Sequence, residues 1–225
     1  MNEKTIHGEH WGSIVITGCV RGFILFSLIL LMVVGTVSAA EFAGTVTRVQ
    51  LQSTAYNNGL SRVLTKNARV YVKDRINTGA KARLEIRFHD GSVITFGGNN
   101  DVSIAEFHHG EGDEGTHAAL KLLDGAFRAI VANLLDTRRK MDFKVQTPLG
   151  VIGVRGTRFW GQHDNQFVQV LLLSGKGVYL ENEQGRVDMT QAGIGTDVKP
   201  GEAPTKPKRW GKKRVDRALK TVSWE

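Results

Sequence analysis

Thiols are nearly missing from this chain: its 225 residues include one cysteine, Cys19. No intrachain disulfide can form, and Cys19 precedes an apolar run with which export would remove it. The mature chain is therefore expected to hold no thiol nucleophile or thiolate ligand, and its stability must come from packing. Prolines number four, Pro148, Pro200, Pro204 and Pro207. Aromatic residues make up 8%. There is no G-x-S-x-G elbow for a serine nucleophile. No local spacing sets two carboxylates across one cleft for hydrolysis. "SGKG" at 174–177 lacks the earlier glycine and the final hydroxyl residue of a P-loop. These gaps argue against an enzyme.

Glycine, by contrast, is abundant at 26 residues, as in a β protein with many tight turns. The N-terminus carries Arg21 and then "GFILFSLILLMVVGTVSAA". A charged residue, an apolar run and small residues spell a secretory signal peptide over 1–40, cut after Ala39 or Ala40. The alternative is a single-pass anchor, because the run approaches the roughly 20 residues of a membrane span. Either way the expectation is a periplasmic or secreted body. Net charge is +8, and residues 206–225 hold eight cations against two acids. An exported basic protein meets anionic lipid, glycan or an acidic partner rather than nucleic acid.

Beyond the cut the pattern is strand after strand. Leu84, Ile86 and Phe88 alternate with charged residues, Asp90-Gly91 supplies a turn, and Val93–Phe96 resumes. Further turns are expected at 77–79 and 97–100, and a loop at 108–117, "HHGEGDEGTH". In "ALKLLDGAFRAIV" helical spacing competes, but Gly125 would cost a helix about 1 kcal/mol. We therefore read strands at 120–122 and 127–131 with a turn at Asp124-Gly125. Turns recur about every 8–12 residues, as in a sandwich, barrel or β-solenoid.

"TPLGVIGVRGTRFWG" at 147–161 is the densest signal. Its spacing is G-x-x-G-x-x-G, not G-x-G-x-x-G, and strand rather than helix follows, so a dinucleotide cradle does not fit. The stretch resembles the signature of the FecR domain, a module named after a bacterial iron-dicitrate sensor. The residues that carry the likeness are Thr147 and Pro148, then Val154, Arg155, Gly156, Thr157 and Phe159. "RINTGAKARLEIRFHDGSVITF", "LLDGAF" and "VLLLSGKGVYL" resemble further blocks of the family, for a span of about 46–198. The resemblance implies an all-β domain over 41–198, a short-stranded β-solenoid-like or β-sandwich fold. It further implies a noncatalytic, cofactor-free interaction or sensing module outside the cytoplasmic membrane. On this reading the glycines mark corners, and Arg155 bonds backbone carbonyls at one of them.

The founding sensor also controls a sigma factor from a cytoplasmic segment. With about 20 residues before the apolar run, that role is not carried over, and an anchored signalling regulator stays as the alternative. A glycan- or peptidoglycan-binding module is another, with Trp160 and Tyr179 as its aromatic platforms. His108, His109 and His117 with Glu111, Asp113 and Glu114 offer irregular metal-ligand spacing, and a mobile acidic loop is the plainer reading. His163 and Asp164 would matter only to an enzyme. Residues 199–225 are read as a linker and a basic tail, helical or flexible. Trp210, Lys212, Lys213 and Arg214 are its candidates for contact with a partner or an anionic membrane.

Overall fold

A computed structural model describes residues 40–109, 115–131, 141–154 and 156–224 of the protein. Residues 1–39, which hold nearly all of the signal peptide expected over 1–40, lie outside the described residues, as do Arg155 and residues 110–114.

The chain alternates between two sheets. β1 (Phe42–Gln50) opens the front sheet, and β2 (Ser53–Asn57) and β3 (Leu60–Val63) form a hairpin in the back sheet. β4 (Arg69–Tyr71) is front, β5 (Arg75–Thr78) back, the hairpin β6 (Arg83–Phe88) and β7 (Val93–Phe96) front, and β8 (Asp101–His109) back. β9 (Thr116–Ile130) serves both sheets. Then come the hairpins β10 (Met141–Thr147) and β11 (Gly150–Val154) at the back, and β12 (Thr157–Asp164) and β13 (Phe167–Gly175) in front. β14 (Val178–Asn182) and β15 (Gly185–Met189) return to the back, β16 (Ile194–Val198) and β17 (Lys208–Arg209) to the front.

Across the front the order is β4-β1-β6-β7-β9-β12-β13-β16-β17, and across the back β3-β2-β5-β8-β9-β10-β11-β14-β15. Every pairing is antiparallel except β9–β10. Hairpins are laid down from one end to the other, as in a solenoid, while the two sheets enclose one core, as in a sandwich. The all-β expectation holds, and the two architectures offered for it describe two aspects of one body.

Alternation explains the core. Leu84, Ile86 and Phe88 of β6 are buried, as are Ile94 and Phe96 of β7. From the back sheet Ala55, Ile76, Val102, Ile104 and Phe107 meet them in one apolar cluster. Phe88 packs on Phe107 across the sheets at 5.5 Å between ring centres, and Phe127 meets Phe159 edge-on at 5.4 Å. Each such ring contributes about 1.5–3 kcal/mol by leaving water.

Three expected features change. The chain does not turn back at Asp124-Gly125: β9 runs through it, with its first half paired to β8 and β10 and its second half to β7 and β12. Gly125 adopts φ +105°, and a Cβ there would lie 2.4 Å from Asn100 Cγ. The strand can therefore bend between sheets only where no side chain stands. Of the loop expected at 108–117, His108, His109, Thr116 and His117 belong to β8 and β9 and pair across them. The turn expected from Asn77 begins later, because Asn77 and Thr78 end β5.

The tail is not a separate segment. Ala40–Glu225 forms one compact unit, and α1 (Lys212–Lys220) lies on the outer face of the front sheet. All described strands find their partners inside this unit, so residues 40–225 form a body that stands on its own.

Between β5 and β8, Arg75 grips Asp101 with two bonds, Nε to Oδ1 at 2.8 Å and Nη2 to Oδ2 at 2.5 Å. That hydrogen bonding holds the Asp101 carboxyl below its usual range. A depressed carboxyl stabilises the fold above its unfolded pKa, and the gain is lost as pH falls through the folded value. Asp101→Asn should therefore unfold more easily at neutral pH, by about 0.5 kcal/mol for so exposed a pair. The gap in urea midpoint should close below about pH 4; a gap that persists in acid refutes the assignment.

Candidate functional site

The signature stretch builds a corner. Thr147 Oγ1 donates to Gly150 O at 2.8 Å and accepts from Leu149 N at 3.3 Å, fixing the β10–β11 turn with Pro148 exposed at its tip. The chain then crosses from back to front between Val154 and Thr157, with Gly156 at φ +53°. Thr157 is buried, and its Oγ1 donates to Gly177 O at 2.8 Å and accepts from Gly177 N at 3.2 Å. This clamps the crossing against the β13–β14 connection, which crosses the other way. Val154 and Phe159 are core residues. These contacts position backbone; none presents a reactive group. Arg155 lies outside the described residues.

Gly153 and Gly195 serve as seats for rings. A Cβ on Gly153 would lie 2.1 Å from Tyr179 Cζ, and one on Gly195 2.5 Å from Trp210 Cε2. Tyr179 is then capped by Arg186, whose Cζ stands 3.8 Å from the ring centre. Trp160 is 1% exposed and lies beneath the tail. Neither aromatic offers a free face to a sugar, which corrects the glycan platform expected of them.

Trp210 needs the same correction. At 5% exposure it belongs to a second core with Ala126, Trp160, Leu171, Ala218 and Val222. Trp160 donates Nε1–H to Thr221 Oγ1 at 3.0 Å. Arg214 stacks on Trp210 at 3.6 Å and pairs with Asp197. Of the four tail residues proposed for outward contact, Lys212 and Lys213 remain exposed, and Lys212 pairs with Asp216 at 2.5 Å.

His117 stands between two carboxylates, Nε2 2.8 Å from Glu106 and Nδ1 3.1 Å from Asp142. Each ring nitrogen thus meets its own acid, which pins β8, β9 and β10 together. Among the described residues no group of three or more His, Cys, Asp or Glu is arranged to hold a metal. Glu111, Asp113 and Glu114 lie outside the described residues. His163 is buried with Nδ1 2.6 Å from Leu123 O, and Asp164 caps the β12–β13 turn by accepting from Gln166 N and Phe167 N. Asp90 does the same in its turn, accepting from Ser92 N at 2.9 Å beside Gly91 at φ +82°.

One surface escaped the sequence reading. The exposed large apolar residues Leu51, Tyr56, Leu60 and Val63 all fall within 51–63. Leu60 and Val63 lie on β3, which ends the back sheet and pairs only with β2 among the described strands. Behind it Asp74, wholly buried, accepts from Asn57 Nδ2 and Tyr71 N at 2.8 Å and pairs with Arg62, holding the edge in place. Alternation could not flag these residues, because an apolar residue in a short strand reads as core whichever way it points.

Fold and site together define an all-β scaffold, wound by hairpins with glycine-built corners, that offers an edge for contact. Residues 74–176 match the family model described as FecR protein, and the chain carries a FecR domain over that span. The match is narrower than the 46–198 read from sequence, and it leaves out the β2–β3 edge and the tail. Two crystal structures provisionally described as an anti-sigma factor from Parabacteroides distasonis are similar, each with TM-score 0.51 and 15% identity. The likeness covers 64% of this chain and 64% and 63% of theirs, and at that identity it is one of fold alone. No curated protein matches the chain. No helix among the described residues is long and apolar enough to cross a membrane.

Proposed function

We propose that this protein is a noncatalytic, exported FecR-type module that senses or signals in the bacterial cell envelope by binding another protein. The observation that carries this is the β3 edge, where unpaired backbone runs beside Leu60 and Val63, the two most exposed large apolar residues after Leu51 is set apart at the β1–β2 turn. Such an edge takes an added strand: backbone bonds supply affinity and alternate side chains supply specificity. Support for export comes from the n-region, apolar run and small residues at 21–40. The anchored-regulator alternative draws on the structural neighbours' description as an anti-sigma factor, and it requires that the apolar run be retained.

A photo-crosslinking residue at position 60 or 63, introduced in cells, should give one discrete protein adduct in the envelope fraction. The same residue at exposed Gln184, beside the opposite edge of the back sheet, should not. Absence of an adduct at 60 and 63, or an equal one at 184, overturns the reading. The mature N-terminus separates the variants of it: Ala40 or Glu41 means a free module, and a start near Met1 an anchored one.

A further inference from the structure

The outer face of the front sheet is covered by the tail only in part. Where α1 stops, Arg87 of β6, Arg128 of β9 and Arg158 of β12 stand exposed. Their registers place them on one face. Arg87 lies opposite Val93, Val93 opposite Ile130, and Ile130 opposite Arg158, while Arg128 lies opposite Thr95 and Trp160. Trp160 is packed under α1 on this outer face, so its row-mates point the same way. None of the three arginines has a hydrogen-bond or ion-pair partner among the described residues. Glu85, in the same row as Arg128, accepts from Thr47 Oγ1 at 2.7 Å.

The helix extends the same charge. Val215, Ala218 and Val222 face the sheet, so Lys213, Arg217 and Lys220, at i, i+4 and i+7, line the side turned to solvent. Trp210 and the apolar stripe of the tail are consumed inside, and the half-buried Trp224 lies under Arg48, whose Cζ stands 4.1 Å from the ring centre. What remains is a two-level cationic surface.

We propose that this surface, the front-sheet arginines together with the outer stripe of α1, rests on an anionic phospholipid bilayer. The spacing decides between a bilayer and a single bound anion. Arg128 and Arg158 sit diagonally on adjacent strands, about 7–8 Å apart at the backbone, and Arg87 lies two strands beyond β9 on the far side of β7. The six cations do not converge on one point, as a discrete phosphate site requires; they lie on three strands, β6, β9 and β12, with β7 between the first two, and on a helix. Four strands alone span about 14 Å, wider than one extended peptide and suited to many separate headgroups. Docking by charge without insertion is reversible and salt-sensitive. The proposal rests on the exported reading above only for which leaflet is met.

The test is co-sedimentation of residues 40–225 with phosphatidylglycerol vesicles and, separately, with pure phosphatidylcholine. Binding to the first alone is expected, weakened by salt and not competed by glycerol phosphate. Removing three surface charges, R87Q/R128Q/R158Q, should weaken it by about a hundredfold. The control K66Q/K81Q/K121Q removes equal charge from exposed lysines elsewhere and should bind nearly as wild type; unchanged thermal melts verify that both variants fold. Equal loss in both variants would reduce the effect to net charge and overturn the proposal. So would absence of vesicle binding, including the case where the protein is instead retained on immobilised polyglutamate, which would assign the face to an acidic protein. A positive crosslink at β3 with no vesicle binding would leave the functional reading standing without this surface.

Discussion

Gly175→Ala is expected to destabilise the protein by about 3 kcal/mol or more, and the reason lies in two separable terms. Gly175 adopts φ +116°, which costs an L-residue about 1–3 kcal/mol. A Cβ there would also lie 2.7 Å from both Gly156 O and Thr157 Cα, backbone atoms of the opposing crossing. Moving backbone apart in a packed region adds about 1–3 kcal/mol. Gly201 isolates the first term, since it has φ +74° with nothing within 4 Å of its Cβ position. Gly201→Ala should cost only about 1–2 kcal/mol. Urea unfolding of the two variants gives the comparison. Equal losses would mean that the two crossings do not press on each other, and the corner reading of the signature would fail.

Trp160→Ala should cost about 3–5 kcal/mol, a drop in melting temperature of about 10 °C. Trp160 is the floor of the second core, with Trp210 edge-on at 6.0 Å and Thr221 bonded to its Nε1. Removing it should do more than lower stability. It should free α1, so that trypsin cuts after Lys213 and Arg217 faster than after exposed Lys121. Trp160→Phe keeps most of the apolar surface and loses the bond to Thr221, so it should fall about 1–2 kcal/mol below wild type. A Trp160→Ala protein whose tail stays as protected as before would show that the helix is held by other contacts, such as Arg83 Nε to Ser223 O at 2.9 Å.

The gap between sequence and structure is widest in β9 and in the tail. Around Asp124-Gly125 the sequence carries two true signals, apolar strands on each side and a glycine between. It does not say whether the chain reverses there or bends onward, because both need a residue without a Cβ. The partners decide: β8 and β10 capture one half, and β7 and β12 the other. In the tail, Trp210, Val215, Ala218 and Val222 form an apolar stripe that reads equally as a membrane face or as an interior one. Only the presence of Ala126, Trp160 and Leu171 on the outer sheet face shows where the stripe goes. The exposed edge at Leu60 and Val63 was equally silent, since exposure belongs to the end of a sheet and not to a residue.

By itself the sequence determined what depends on neighbours along the chain. Alternation in β6 and β7, the Asp90-Gly91 turn, the all-β class and the FecR signature all rest on the period of a strand or the local chemistry of a turn. The tertiary structure decided which strands pair, which sheet each joins, which aromatics are buried and which arginines are left without partners. Those are contacts between residues far apart in sequence, chosen by the combined burial of both sheets. No window along the chain contains both sides of such a contact.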